Sequence, residues 1–207
     1  MVFERFFVNA KKPEGWFGRM MASGMNGGAH KRLARWGMTH FNVQGDILDV
    51  GCGGGGNIKR MLQMDSVSTV SGVDYSAVSV RKSSEVNGNA ISEGRCRIVQ
   101  GNVVDLPFEK NTFDTVTAFE TVYFWPSIER SFEEVYRVTK PGGTFAITNE
   151  SNGTDEAAAK YAEIIDGMNL YTPERLTELM DGAGFIDVQA FEDDRKPWIT
   201  VVARKPA

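Results

Sequence analysis

The chain has 207 residues, a net charge of −4 and a hydrophobic share of 42%. This length and composition predict one domain with a packed core, and the acidic balance offers no global basic field for nucleic acid. Cys52 and Cys96 show neither metal-ligand spacing nor a disulfide framework. No apolar run approaches the length of a membrane span, and the N-terminus lacks a signal-peptide layout. We therefore expect a cytoplasmic protein without a bound metal, a membrane contact or a nucleic-acid partner.

The first part of the chain predicts an interrupted helical segment. Apolar side chains recur there at three- and four-residue steps, as on one face of a helix. Glycines break this pattern at positions 24, 27 and 28. We expect residues 1–43 to form a helical cap on a main domain that comprises residues 44–207, within a single domain overall.

The stretch that follows carries the strongest functional signal. A short apolar run at residues 47–50 predicts a strand, and five of the next six residues are glycine. A helical pattern then begins near Ile58. Glycine at such a turn lets the backbone bend sharply and lets a ligand approach closely. Asp49 stands two residues before the first glycine, Gly51.

Two classes of ligand fit this turn. Gly51, Gly53 and Gly56 satisfy the G-x-G-x-x-G pattern of dinucleotide sites. The carboxylate of Asp49, however, would repel an anionic pyrophosphate. It suits instead the cationic sulfonium and ammonium groups of S-adenosylmethionine. A tight structural turn without any ligand is the third interpretation.

Strand and helix patterns alternate along the rest of the chain. Further strands are predicted at residues 67–73, 97–100, 113–119 and 144–148. Helix signals lie between and after them: an N-cap at Ser76, a helix opened by Pro126-Ser127 and stopped by Pro141-Gly142-Gly143, and a helix from Thr172-Pro173 to Gly182 and Gly184. Such alternation predicts an α/β fold with a parallel sheet. Runs at 185–191 and 198–203 are joined by a short polar loop, which predicts a closing antiparallel hairpin.

Four segments in this order resemble the class I S-adenosylmethionine-dependent methyltransferases, and within them the small type-11-like bacterial group. The segments are residues 47–53, residues 73–76, residues 101–108 followed by Phe113-Asp114, and residues 140–143. The resemblance covers roughly residues 44–203. It implies a Rossmann-like, doubly wound, seven-stranded sheet with one reversed strand. It also implies S-adenosylmethionine as methyl donor and in-line transfer to a small-molecule acceptor.

The resemblance assigns donor contacts residue by residue. The expected contacts are Asp49, Gly51, Cys52 and Gly53 at the methionine moiety, Asp74 at the ribose, Tyr75, Asn102 and Val103 at the adenine, and the backbone carbonyls of Phe119 and Glu120 at the ammonium group. Asp74 is expected at an exposed strand end, where a helix cap is its alternative role. Many family members carry aspartate at the position of Asn102, whose amide oxygen can accept the same hydrogen bond. Asp105 could take this role if the loop is shifted.

The sequence is less specific about catalysis. Methyl transfer from a sulfonium needs positioning, exclusion of water and, for a protonated acceptor, a base. The candidates for that base are Glu120 and Tyr123 on the donor side and His30 in the cap. Relatives often carry histidine at the positions of Tyr123 and Phe124, and this chain does not. The alternative functions are a nicotinamide-dependent oxidoreductase and a non-catalytic S-adenosylmethionine-binding protein.

Overall fold

The computed structural model describes residues 27–207, through which a seven-stranded sheet runs. The strands are β1 (Gly45–Val50), β2 (Val67–Asp74), β3 (Cys96–Gln100), β4 (Phe113–Phe119), β5 (Thr139–Asn149), β6 (Ile186–Glu192) and β7 (Ile199–Arg204). Their order is β3-β2-β1-β4-β5-β7-β6. The first five strands pair in parallel, whereas β7 is antiparallel to both β5 and β6. The predicted Rossmann-like, mostly parallel sheet with a reversed strand is therefore confirmed.

Helices connect most of these strands. They are α1 (Gly28–Gly37), α2 (Gly56–Met61), α3 (Ala77–Val86), α4 (Gly88–Ser92), α5 (Ile128–Val138), α6 (Glu156–Ile164) and α7 (Pro173–Ala183), with a 3-10 turn at Val122–Phe124. The predicted caps are confirmed, since the side chains of Ser76 and Thr172 accept from the N–H groups of Ser79 and Arg175. The sequence did not indicate α4 or α6. Both are short and mostly exposed, so they lack an apolar stripe.

Two predicted boundaries are wrong. Pro141-Gly142-Gly143 does not stop α5, which already ends at Val138, and β5 begins at Thr139 rather than at Thr144. Proline has no N–H to donate, and the β4–β5 register shifts at this point, so the Pro-Gly-Gly segment is an irregular start of the strand. Gly182 likewise lies inside α7. The helix is capped by Gly184, whose φ of 100° is left-handed.

The sheet order reverses at β1, and this brings the ends of three strands together. β2 and β3 lie on one side of β1, and β4 and β5 lie on the other. Right-handed crossovers then place helices on both faces, and a crevice opens at the carboxyl ends of the strands. The glycine-rich turn follows β1 at this edge.

Two apolar clusters hold the helices on the sheet. The larger cluster includes Phe132 of α5, Leu176 of α7 and Phe145 of β5. The smaller one packs Ile58 and Met61 of α2 near β1 and β2. Full burial of a side chain of this size contributes about 1.5–3 kcal/mol. The packed helices therefore fix the strand ends that build the crevice. Within residues 27–207, no helix has both the length and the apolar character that a membrane span requires.

Helix α1 is the described part of the predicted cap, because residues 1–26 lie outside the described residues. It approaches β5 closely at Gly37. A Cβ atom at this glycine would lie 2.7 Å from Cγ2 of Thr148. The absence of a side chain at Gly37 thus allows α1 to pack directly on the sheet.

We expect Gly37→Ala to lower the melting temperature, because overpacking of this kind typically costs about 1–3 kcal/mol. Gly182→Ala is the matched control, since a Cβ there would meet nothing within 4 Å. This control should gain up to about 1 kcal/mol from helix propensity alone. Thermal unfolding of both variants checks the contact, and equal gains in stability would show that α1 does not pack tightly at Gly37.

Candidate functional site

The glycine turn after β1 adopts a backbone that other residues rarely take. Gly51, Gly53 and Gly55 have φ values of 74°, 51° and 76°. A Cβ atom at Gly51 would also collide with the side chain of Thr121. The N–H of Gly51 donates to the carbonyl oxygen of Val73 at 2.8 Å, which holds the turn against the end of β2. Gly51 is thus required both by its conformation and by the lack of space.

Asp74, at the end of β2, is buried rather than exposed, with 8% of its surface accessible. Its Oδ2 accepts from the N–H of Gly53 at 2.9 Å, and its Oδ1 accepts from the N–H of Ser76 at 2.8 Å. Burial raises the pKa of this carboxyl group. The expectation of an exposed strand end is therefore wrong, because the carboxylate bridges the glycine turn and the start of α3. The side chain of Ser79 also forms a hydrogen bond with this carboxyl group, so its two oxygens together keep about one further acceptor position for a ligand.

A cavity of about 440 Å³ lies beside Asp74, within the usual range for small-molecule sites. Residues that follow β2 and β3 line one wall: Asp74, Tyr75, Gly101, Asn102 and Val103. The other wall comes from the segment after β4 and from the loop after α6: Thr121, Phe124, Trp125, Pro126, Ser127, Gly167 and Asn169. Among the residues predicted at the adenine, Asn102 lines this cavity and Asp105 does not.

A second, smaller cavity of about 30 Å³ shares Gly51 with the larger one. Its lining includes five more of the predicted site residues, namely His30, Asp49, Cys52, Phe119 and Glu120, whereas Gly53 and Tyr123 line neither cavity. Helix α1 supplies His30, β1 supplies Asp49 and the end of β4 supplies Phe119. Burial raises the pKa of the Cys52 thiol well above its usual range, so this thiol stays protonated.

Asp49 carries a carboxylate into the protein interior, with 2% of its surface accessible. The hydroxyl of Thr117 donates to it at 3.0 Å. Burial raises the pKa of this carboxyl group to about 7. Desolvation therefore destabilises the ionised form. A cation bound in the small cavity would stabilise it.

Glu120 and Tyr123 form a hydrogen-bonded pair at the end of β4. The Tyr123 hydroxyl donates to Oε1 of Glu120 at 3.3 Å, and this oxygen also accepts from the N–H of Glu150. Burial, followed by the charge of Glu150, raises the pKa of Glu120 well above its usual range. Burial also raises the pKa of Tyr123, whose hydroxyl accepts from the N–H of Ser151 at 3.2 Å. The phenol therefore stays protonated and orients the Glu120 carboxyl group.

The backbone of Glu120 is itself unusual, with a φ of 58°. A non-glycine residue in this conformation typically costs about 1–3 kcal/mol and is found most often at functional sites. Glu120 is also one of the residues that line the small cavity. The strained residue, Glu120, thus directly follows the last residue of β4, at the edge of the crevice.

The polar lining of both cavities is acidic. Of the described residues that line them, three are carboxylates and none is lysine or arginine: Asp49, Asp74 and Glu120. Such a lining favours a ligand with positive charge and disfavours an anionic pyrophosphate. Across residues 27–207, no group of three His, Cys, Asp or Glu side chains is arranged to hold a metal ion.

Several residues of the site escaped the sequence analysis. Thr117 lies opposite Asp49 in the β1–β4 register, so its role follows from strand order, which spacing alone does not reveal. Asn169 reaches the cavity from the loop after α6, and its N–H donates to the carbonyl oxygen of Tyr123 at 2.9 Å. No periodic pattern marks a loop that returns to a site in this way.

Comparison with known proteins adds a family to this geometry. Residues 48–147 match the model of a family described as a methyltransferase domain. The cycloartenol-C-24-methyltransferase 1 of Oryza sativa subsp. japonica is 29% identical over 164 residues, which are 73% of this chain and 47% of that protein. The chain thus spans about half the length of the curated relatives it matches.

Solved structures show the same fold. An S-adenosylmethionine-dependent methyltransferase from Aquifex aeolicus superposes with a TM-score of 0.73 at 18% identity, covering 90% of this chain and 97% of that one. Phosphoethanolamine N-methyltransferase 2 of Haemonchus contortus, solved in complex with S-adenosyl-L-methionine, gives a TM-score of 0.69 at 20% identity, covering 95% and 54%. Residues 48–147 thus match a methyltransferase-domain family, and residues 27–207 have the fold of the class I S-adenosylmethionine-dependent methyltransferases.

Proposed function

We propose that this chain transfers a methyl group from S-adenosylmethionine to a small, neutral and largely apolar acceptor. The observation that carries the proposal is the buried carboxylate of Asp49, which lies beside a glycine turn in a crevice where none of the lining residues within 27–207 is lysine or arginine. When bound, the donor would supply a sulfonium-activated methyl group that leaves a neutral thioether.

The residues that line the two cavities fit such a donor. Asp74 has about one acceptor position left for a ribose hydroxyl, and Tyr75, Asn102 and Val103 line the same cavity for the adenine. Asp49 would attract the ammonium and sulfonium charges from the small cavity. A Cβ atom on Gly51 would fill space at the junction of the two cavities, where the donor must pass. Cys52, Gly53 and the backbone carbonyls of Phe119 and Glu120 complete the proposed donor site.

The chain's own contribution to the reaction is to orient the reactants, to exclude water and, where the acceptor carries a proton, to remove it. Glu120 is the proposed proton acceptor, because it lines the small cavity and carries a carboxyl group. Tyr123 holds this carboxyl group by its hydroxyl. His30 reaches the same cavity from α1 and is the second candidate.

The acceptor class follows from the same lining. The acidic walls would repel an anionic acceptor such as a phosphate track, while Phe124, Trp125 and Pro126 offer apolar surface. The name of the rice relative, which specifies cycloartenol, supports a largely apolar acceptor. We further propose that residues 1–43 cap the site of the domain at 44–207. The buried free thiols of Cys52 and Cys96 support a reducing, cytoplasmic location.

Calorimetry with S-adenosylmethionine, S-adenosylhomocysteine and NAD, run side by side on the full chain, tests the donor. We expect both adenosyl compounds to bind and NAD not to bind. Release of S-adenosylhomocysteine from a set of small apolar acceptors, compared with bulk RNA, DNA and protein, then tests the transfer. Binding of NAD alone would favour the oxidoreductase alternative. Donor binding without turnover on any acceptor would favour a non-catalytic binding protein.

The double role of Asp74 yields a prediction. Asp74→Asn replaces one acceptor oxygen by an NH2 group, which is a donor. One of the two backbone N–H groups that now donate to Asp74, those of Gly53 and Ser76, would then face this NH2 group without an acceptor. We expect both affinity for S-adenosylhomocysteine and stability to fall, each by about 1.5–3 kcal/mol, the range for a lost hydrogen bond to a charged group. Calorimetry and thermal unfolding measure the two effects.

Asp105→Asn is the matched control for this change, because Asp105 is exposed and lies outside the cavity lining. Both quantities should stay close to those of the unmodified chain. If Asp105→Asn weakened binding as much as Asp74→Asn, the loop that carries Asn102 and Val103 would have to be shifted so that Asp105 meets the adenine.

The pKa of about 7 at Asp49 yields a second prediction. The ammonium group of S-adenosylhomocysteine favours the ionised carboxylate, so affinity for this ligand should fall as the pH drops below about 7, by up to tenfold per pH unit. Asp49→Asn should bind more weakly at neutral pH and should lose this dependence. Calorimetry between pH 5.5 and 7.5 checks both, and parallel pH profiles for the two proteins would rule out Asp49 as the titrating group.

The titration of Asp49 also changes the stability of the ligand-free chain. This stability falls as the pH rises, whereas the affinity for the ligand increases. The carboxyl group has a raised pKa in the folded state, so its contribution to stability is complete below its ordinary value of 3.8 and is lost as the pH rises through about 7. Asp49→Asn should therefore be the more stable protein at pH 8 in the absence of ligand.

A further inference from the structure

The loop between β3 and β4 carries Asn102 and Val103, which line the larger cavity. This loop has little regular pairing of its own. Asn102 forms an isolated bridge with Asp105, and its Oδ1 accepts from the N–H of Val104 at 3.3 Å. Neither contact ties the loop to the rest of the fold. The N–H of Gly101, just before Asn102, donates to the carbonyl oxygen of Asp74 at 3.1 Å, and the rest of the loop depends on contacts from outside it.

Two side chains of α5 fasten this loop. Oε2 of Glu134 accepts from the N–H of Leu106 at 2.9 Å. Arg137 donates to the carbonyl oxygens of Leu106 and Phe108 at 2.9 and 2.8 Å. The two α5 side chains also pair with each other through two bonds of 2.8 Å. Together they hold three backbone groups of the loop in a fixed geometry.

The burial of Glu134 makes this arrangement strong. Its side chain is 3% exposed. The hydrogen bonds from Arg137 keep the pKa of the carboxyl group below its usual value despite that burial. A forked guanidinium can serve a carboxylate and two carbonyls at once, which a lysine ammonium cannot do in the same plane. The anchor point at Leu106 lies only four residues from Asn102.

We propose that Glu134 and Arg137 are positioning residues of the donor site, which set the loop so that Asn102 and Val103 recognise the adenine ring. This inference rests on the proposed function, because it takes the larger cavity as the adenosine site. Neither α5 side chain touches the ligand. Each acts through the backbone of the loop, and the effect is selectivity for the 6-amino group of adenine.

Arg130 offers a matched control on the same carboxylate. It approaches the other oxygen of Glu134 at 3.1 Å, but its side chain is 55% exposed and it makes no described hydrogen bond to the loop. Because the Arg130 end of this pair is exposed to solvent, we expect its removal to disturb the loop less than the removal of Arg137. Val135→Ala is the second control, since it removes volume from the core on the same helix and lowers stability without changing the loop anchor.

The test compares two ligands on the full chain by calorimetry: S-adenosylhomocysteine and its deaminated analogue, S-inosylhomocysteine, in which an oxo group replaces the 6-amino group. The unmodified chain should prefer the adenosyl ligand by about tenfold, the equivalent of one hydrogen bond. Arg137→Lys and Glu134→Gln should reduce this ratio to about twofold or less through loss of the adenosyl affinity. Arg130→Gln and Val135→Ala should keep the full ratio.

The outcomes separate the two proposals. If the unmodified chain binds neither ligand, the proposed function itself fails. If it binds S-adenosylhomocysteine without preference, or if Arg137→Lys and Glu134→Gln keep the full ratio while folded by circular dichroism, the positioning role is overturned. A ratio that falls equally in Val135→Ala would also overturn it, because general loss of stability would then explain the effect. Should Glu134→Gln fail to fold, Arg137→Lys decides alone.

Discussion

The carboxylate of Asp74 is the contact on which the geometry of the site depends. Parallel pairing brings the ends of β1 and β2 side by side. It does not by itself fix the glycine turn that follows β1 or the start of the helix that follows β2. Asp74 does so by accepting from Gly53 on one side and from Ser76 on the other. The backbone of the turn, the start of α3 and a ligand-facing acceptor are therefore set by one buried group, which couples the folding of the turn to the shape of the crevice.

The acidic lining imposes a second constraint. Burying carboxylates without a cation is unfavourable, and the raised pKa values of Asp49 and Glu120 reflect this cost. A cationic donor would offset it. The ligand-free site thus stores free energy that binding can release, in line with the strained backbone at Glu120. The same buried carboxyl groups therefore lower the stability of the ligand-free protein and raise its affinity for a cation.

The sequence predicted those features that depend on local spacing. The glycine turn, Asp49 and the position of Asp74 follow from the distance of each residue to a strand end, and the parallel sheet follows from alternation. It did not predict features that depend on tertiary neighbours. The burial of Asp74 depends on Gly53, 21 residues away, and Thr117 reaches Asp49 only because β4 pairs with β1. Nor could local spacing indicate that the Tyr123 hydroxyl would donate to Glu120 while the N–H groups of Glu150 and Ser151 donate to Glu120 and Tyr123, respectively.

The place of β7 in the sheet has a consequence for how the chain folds. β7 lies between β5 and β6 although it follows both in sequence. Until residues 199–204 are in place, β5 has an open edge and β6 has no partner strand. In the described sheet β6 pairs with β7 alone, so it joins the sheet through β7, whose pairing with β5 spans about fifty residues of the chain. Premature release of an incomplete chain would leave an exposed hydrophobic edge at β5, open to pairing with other chains.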